Sequence, residues 1–326
     1  MATRYEIAKL ASVSAATVTN VLNNTKYVSP EVRERVMNAA QKLDYTVTNK
    51  SKKGCLRKIS LVVDNCSNPH YAQIFHGMNE VAQKNNCMVS MVEMGYDTEQ
   101  FCRDLLNSRT DAVFFTVPRD QMSQQQIQQL QMGGIVVGNS NSSFQMDFND
   151  AYFRVVKHLV DLGHKRILYL SGLSLEDEEN MRCKAFRSAV QQCGAEDSPD
   201  LLVDGFYPYE TNMQNGYQAM KARLEKKLDF TAVIALNDLM AIGAMHAITE
   251  HGLRIPEDIS VIGCDDIPVS EYANPPLTTL HVPAKEIGRR TMYDIISQFE
   301  NKNIGPIHLP IDIIFRKSVG STKKGL

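Results

Sequence analysis

Ser12-Val13-Ser14-Ala15-Ala16-Thr17-Val18-Thr19-Asn20-Val21-Leu22-Asn23 decides how the N-terminal part of the chain is read. Ser14 is a good helix N-cap because its hydroxyl can accept from a first-turn amide, and Val18, Val21 and Leu22 recur at helical spacing to bury one stripe. Ala15, Ala16, Thr17, Thr19 and Asn20 are then left pointing away from that stripe. Two readings are open at this point. The segment is either a short amphipathic helix in a small bundle, or a helix that offers small and amide side chains to the groove of a duplex.

The flanking residues bear on that choice. Thr3-Arg4-Tyr5-Glu6 has the T-x-x-E form of a capping box, and Ile7, Leu10 and Ala11 follow at helical spacing, which gives a first helix over about Tyr5 to Ala11. After Asn23 comes a polar loop, then Ser29-Pro30, an N-cap with proline at the first helical position, and a third helix through Val32, Val36, Ala39, Ala40 and Leu43. Two short helices joined by a tight turn, with a third covering the core, form a helix-turn-helix, whose second helix enters the major groove. The charge agrees. The chain is −2 overall, but residues 1–58 carry +7 and the remainder −9, so a polyanion partner is implied for the head alone.

With 326 residues, 43% of them hydrophobic and 22% charged, the chain has the composition of a soluble protein of two or three domains. No apolar run approaches a membrane span and Met1-Ala2-Thr3-Arg4-Tyr5-Glu6 lacks a secretion core, so no membrane association and a cytoplasmic location are expected, nucleoid-associated when bound to DNA. The seven cysteines are odd in number, scattered and never in a CxxC spacing, which suggests neither a disulfide framework nor a zinc site. There is no P-loop and no HExxH. Gly133-Gly134-Ile135-Val136-Val137-Gly138 leads into a strand rather than out of one, so it is not a dinucleotide fingerprint. No enzyme activity, metal or cofactor is expected.

From Ile59 onward short apolar runs alternate with amphipathic stretches. Strands are expected at Ile59 to Val63, Met88 to Val92, Ala112 to Val117, Ile135 to Val137, Ile167 to Leu170, Leu201 to Val203, Ala232 to Ala235, Ile259 to Ile262 and Thr278 to His281, with helices between them. That alternation gives parallel sheets, and the length of the body calls for two. The fold class is therefore α/β, an all-α helix-turn-helix head on a two-lobed body with two parallel sheets. Polar residues gather where strands end, at Asp64-Asn65, Asn68-Pro69-His70-Tyr71, Asn237-Asp238 and Asp265-Asp266. Each reads either as a turn or helix cap, or as a ligand contact in a cleft at the strand ends.

The run Ala8-(x4)-Val13-Ser14-x-x-Thr17-Val18-x-x-Val21-Leu22-Asn23, followed by Val28-Ser29-x-x-x-Arg33-x-x-Val36-x-x-Ala39 and Leu43-x-Tyr45, resembles the N-terminal signature of the LacI/GalR family of bacterial transcription regulators. The resemblance implies base reading by Ala15, Ala16 and Asn20. Methyl groups suit thymine and Asn20 suits adenine, so an A/T-biased half-site core is expected. Ser14, Thr17, Thr19 and Asn23 are implied to hold phosphates, although Thr17 and Thr19 also read as simple helix packing. The family's hinge departs here. Val47-Thr48 stands where Pro-Asn is expected, the segment is about three residues short, and only Gly54 or Leu56 lies near the wedge position; Leu56 is the candidate for a minor-groove wedge, the alternative being a linker residue packed on the body.

The body continues the resemblance in Leu162-Gly163-His164-Lys165-Arg166-Ile167, Asn237-Asp238-x-Met240-Ala241-x-Gly243, Pro256-x-Asp258-Ile259-Ser260-Val261-Ile262-Gly263-x-Asp265-Asp266, Pro276-Leu277-Thr278-Thr279 and Phe315-Arg316-x-Ser318. A periplasmic-binding-protein-like core is implied, with effector contacts at His70, Tyr71, Asp150, Arg182, Phe206, Asn237 and Asp265. Hydroxyl-pairing carboxylates and amides, an arginine fork and an aromatic face suit a saccharide. The aromatic wall stays open among Phe206, Tyr207 and Tyr209. The acidic run Glu176-Asp177-Glu178-Glu179 reads as a solvated helix start or as a sign of a cationic or hydroxyl-rich effector. The implied organisation is a head over 1–46, a basic hinge over 47–58, and a body over 59–326 with lobes of about 59–151 with 284–309 and 152–283 with 310–326. The implied function is a repressor acting as a homodimer on near-palindromic double-stranded operator DNA and relieved by a sugar. The chain stops at Leu326 soon after its last landmark, so a dimer rather than a tetramer is expected. The rival reading is a sugar-type solute-binding protein, which would share the body and lack the head.

Overall fold

Thr3 opens the first helix by accepting from the Glu6 amide at 3.3 Å, and the Glu6 carboxylate accepts in return from the Thr3 amide at 2.6 Å. In this computed structural model the described residues are 3–23, 28–43, 45, 56–95, 97–116, 123–138, 143–175, 181–205, 210–226 and 228–322. Helix α1 spans Arg4–Ala11, α2 Ala15–Asn23 and α3 Pro30–Lys42. Ser12, at φ 53°, ends α1 in the left-handed conformation and turns the chain sharply into α2. Ile7, Ala8, Ala11, Val18, Val21, Leu22, Val36, Ala39 and Ala40 form the head core. Ala8 takes the inward place expected of Leu10, which is 50% exposed. The smaller side chain lets α1 approach its neighbours closely.

The remainder of the chain, with the head counted in the first part, divides into two compact units. The first is Met1–Ser67, Tyr71–Phe144 and Lys285–Ile307, the second Asn68–His70, Gln145–Ala284 and His308–Leu326.

The first unit holds a parallel sheet in the order β2-β1-β3-β4, made of β1 (Arg57–Val63), β2 (Cys87–Glu93), β3 (Ala112–Phe115) and β4 (Val136–Gly138). Ile59 pairs with Val89 on one side and Ala112 on the other. Ile59 to Val63 is buried without alternation, as a central strand covered on both faces must be. Helices α4 (Pro69–Ala82), α5 (Thr98–Asn107) and α6 (Gln124–Met132) connect the strands. Residues 47–55 of the expected hinge lie outside the described residues, and Arg57 and Lys58, also assigned to the hinge, are paired into β1 opposite Cys87 and Met88.

The second unit has a six-stranded sheet in the order β12-β10-β9-β8-β6-β7, from β6 (Ile167–Leu170), β7 (Leu202–Val203), β8 (Ala232–Ala235), β9 (Ser260–Cys264), β10 (Thr278–His281) and β12 (Asp312–Ile314). All pairs are parallel except β10 with β12, so this sheet is mixed, with an antiparallel edge. A separate pair, β5 (Phe144–Gln145) with β11 (Ile307–His308), marks two of the passages of the chain from one unit to the other. The helices are α7 (Phe148–Asp161), α8 (Met181–Cys193), α9 (Met213–Leu224) and α10 (Asp238–Glu250), while α11 (Ala284–Phe299) belongs to the first unit from Lys285 on. The lobe boundary expected at residue 151 falls inside α7. Its Ala151, Tyr152, Val155, Val156 and Leu159 form one buried stripe, and the change of unit comes at Phe144 instead.

Candidate DNA-reading face and ligand site

At about 100° per residue, the buried stripe of α2 at Val18, Val21 and Leu22 places Ala16 and Asn20 on the opposite side. Ala16 is exposed and Asn20 half-buried. Ala15 stands only about 60° from Val18, beside Leu22. It is half-buried and packs on the head core, which corrects its expected outward placement. Ser14 Oγ accepts from the Thr17 amide at 3.0 Å and lies 2.9 Å from the Thr17 hydroxyl. Both hydroxyls thus cluster at the positive end of the helix, where an anion is favoured. Thr19 is turned differently, its hydroxyl donating to the Ala15 carbonyl at 2.9 Å. Asn23 ends α2, and its side chain lies outside the described residues. Leu56 is 48% exposed.

The second unit gathers three of the expected ligand residues where β9 ends. Asp265 and Asp266 have φ of 115° and 57°, backbone values that cost a non-glycine residue about 1–3 kcal/mol each and persist only where the surroundings enforce them. Asp265 is buried, and its Oδ1 accepts no hydrogen bond among the described residues. Arg182 Nη2 stands 3.5 Å from that oxygen and His70 Nδ1 3.8 Å from it. The Asn68 side chain accepts from the His70 amide at 3.0 Å and so fixes the start of α4. Arg182 is itself oriented by donating to the Leu236 carbonyl at 2.7 Å, with its guanidinium 5.0 Å from the centre of the Phe148 ring. An acceptor that is buried, unsatisfied and flanked by a guanidinium and an imidazole is the kind of group a polar ligand completes.

The other expected contacts are placed differently. Asn237 caps α10 by accepting from the Met240 amide at 2.9 Å and donates to the Thr211 carbonyl at 2.9 Å, so each end of its amide is engaged within the unit. Asp150 is exposed and paired with Arg154 at 2.8 Å, one turn along α7. Tyr71 is half-buried in the first unit. Phe206, Tyr207, Tyr209 and the acidic run Glu176 to Glu179 lie outside the described residues.

Around Arg182 the electrostatics favour one fixed positive charge. Burial opposes that charge, but the acidic surroundings, Asp265 among them, outweigh it and hold the guanidinium above its ordinary pKa. Burial raises the pKa of Cys264, Tyr152 and Tyr169, so these groups keep their protons. Two participants escaped the sequence reading. Phe148 had no signal beyond its place two residues before Asp150. Asp238 was visible as part of Asn237-Asp238, but its partners come from distant segments: the Ile267 amide at 2.9 Å, Ser270 Oγ at 2.6 Å and Thr279 Oγ1 at 2.5 Å all donate to its carboxylate. Burial, and then the nearby Asp265, push the Asp238 pKa up to about 6 against the pull of those donors.

A helix-turn-helix head on an α/β body with a ligand-ready polar cluster defines a DNA-binding regulator rather than an enzyme. Residues 3–47 match the family described as bacterial regulatory proteins, lacI family, and residues 156–319 match the periplasmic binding protein-like domain. The chain belongs to the lacI family. It is 31% identical over 338 residues to the HTH-type transcriptional repressor PurR of Histophilus somni, a match that covers 98% of this chain and 99% of the relative. Among solved structures, a complex of the transcriptional regulator CelR with cellobiose superposes with a TM-score of 0.69 at 25% identity, covering 98% of this chain and all of that one. The Lac repressor dimer bound to operator and the anti-inducer ONPF gives 0.66 at 25% identity, covering 98% and 99%. A solute-binding protein would have no counterpart of residues 3–47, so that rival reading falls.

Proposed function

We propose that this protein is a transcriptional repressor that binds near-palindromic double-stranded operator DNA as a homodimer and is controlled by a polar small molecule, a saccharide. Residues 1–46 act as the head and 47–58 as the hinge. Asn20 and Ala16 read bases with Ala15 at their margin, while Ser14, Thr17, Thr19 and Asn23 hold phosphates. We assign the grip on the effector to His70, Arg182 and Asp265, and propose Tyr71, Asp150, Phe206 and Asn237 as further effector contacts. The observation that carries the ligand reading is the buried Asp265 Oδ1, without a hydrogen bond between Arg182 and His70. A carboxylate accepts from sugar hydroxyls, a guanidinium donates to them, and the Phe148 face offers stacking. The likeness to a regulator solved with cellobiose and to a repressor dimer solved on operator supports the same reading.

Effector binding changes the free energy of operator binding, and linkage requires DNA to change effector affinity by the same factor. The test is a thermal-shift panel of saccharides and nucleosides, repeated with operator DNA. A saccharide shift that changes with DNA and disappears in Asp265→Asn supports the proposal, while shifts from nucleosides alone overturn the saccharide assignment. For the hinge, Leu56→Ala is expected to reduce DNA bending, and an unchanged bend and affinity rule out a wedge at Leu56.

A further inference from the structure

We infer that Asp266 is a positioning residue for the ligand site, its carboxylate clamped by Arg316 and His281 so that the backbone of Asp265 is held in the conformation that brings Oδ1 to Arg182. The inference rests on the ligand reading of Asp265 given above. Three successive residues are tied to three different elements. The Asp265 amide donates to the Leu280 carbonyl of β10 at 2.9 Å, and the Ile267 amide donates to Asp238 of α10 at 2.9 Å. Between these two anchors the chain passes through two positive-φ residues, neither of them glycine.

Nothing local in an aspartate favours a φ of 115°. The restraint comes from the Asp266 side chain, which uses both oxygens: Oδ1 accepts from Arg316 Nη2 at 2.6 Å, and Oδ2 lies 2.9 Å from His281 Nδ1. Arg316 is in turn immobilised by donating to the Leu277 carbonyl at 2.8 Å, while its own amide donates to Thr278 Oγ1 at 2.9 Å. His281 faces Asp266, Arg316 and also Asp312, its partner across the β10–β12 ladder. Arg316 follows β12, so the last strand of the chain braces the turn that presents Asp265. The clamp needs no contact with ligand to act.

The test needs no ligand. In Asp266→Ala, amide hydrogen exchange at residues 265 and 267 is expected to rise at least tenfold while the other amides of β9 and β10 keep their rates. Asp266→Asn, which preserves shape and loses charge, serves if the alanine variant does not fold. The decisive comparison is on an Asp265→Gly background, where a positive φ no longer needs enforcing. There, removing the Asp266 carboxylate is expected to lower Tm by less than half of what it does in the otherwise unchanged chain. Additive Tm losses, or unchanged local exchange, overturn the clamp. Cellobiose, ribose and inosine serve as ligand probes in a parallel arm. Absence of any shift from them in the unmodified protein counts against the saccharide proposal and leaves the exchange result to decide the clamp.

Discussion

Arg182 bridges the Leu236 carbonyl, at 2.7 Å from Nη1, and Asp265 Oδ1, at 3.5 Å from Nη2. One planar group thus reaches a strand end and a buried carboxylate together, a fork that a lysine cannot reproduce. Arg182→Lys is expected to weaken the responding ligand at least tenfold, about 1.4 kcal/mol, with the fold intact. Calorimetric titration checks it, and unchanged affinity would remove Arg182 from the site.

The buried Asp238 makes stability depend on pH in a particular direction. Its folded pKa, about 6, lies above the ordinary 3.8, so in that interval the folded state binds the extra proton and stability falls as pH rises. The loss is on the order of 2–3 kcal/mol across the window. Urea unfolding at pH 4, 5, 6 and 7 should show this decline, and Asp238→Asn should flatten it while lowering the plateau at pH 4. A slope unchanged in the variant would assign the decline to other groups.

His281 acts in a higher range. Its pKa is raised, chiefly by the hydrogen bond to Asp266, so its contribution is complete below 6.5 and is lost as pH climbs through the raised value. The ring is partly exposed, and screening limits the effect to under about 1 kcal/mol. Unfolding midpoints between pH 6 and 9 should converge for the unmodified protein and His281→Gln at the alkaline end and separate at the acid end.

For the head, Ser14→Ala removes the acceptor of the Thr17 amide and is expected to cost about 1 kcal/mol of helix stability. Asn20→Ala should instead lose about 1–3 kcal/mol of discrimination at one base pair. Circular dichroism melting and selection of bound sites from random DNA separate the two. A guanine requirement opposite Asn20 in the selected sites would overturn the adenine assignment.

Packing between α9 and α10 depends on glycine. A Cβ at Gly243 would lie 2.0 Å from the Met213 carbonyl oxygen, so Gly243→Ala forces the helices apart, at about 1–3 kcal/mol and several degrees of Tm. Gly252→Ala, with nothing within 4 Å of the added atom, shares none of this overlap and isolates the backbone cost of its positive φ.

Spacing along the chain made the head legible, because a capping box, an N-cap serine and one apolar stripe are local signals that tertiary contacts only reinforced. Ala15 shows where such signals stop, since the helical period puts it beside Leu22 while its small size suits an open face equally. The parallel strands were visible as apolar runs; β12 was not, because Asp312 to Ile314 is short and lies at a half-exposed edge. In the ligand site, Asp265 was marked by its place after an apolar run and by family likeness, Arg182 by family likeness alone. The commitment of Asn237 to a helix cap, and of Asp150 to Arg154, are matters of orientation that spacing does not encode.

Helix α11, which supplies Gly288 against the Ile74 carbonyl of α4, has an implication for the order of synthesis. A Cβ at Gly288 would lie 2.0 Å from that oxygen, so the two helices meet backbone to backbone across more than two hundred residues of intervening chain. On the ribosome, residues 3–43 can assemble their three helices early, whereas the first α/β unit waits for a helix that emerges near the end. A nascent chain arrested before Lys285 would therefore display a finished head on an unfinished support, able to meet DNA before its body can report on any ligand.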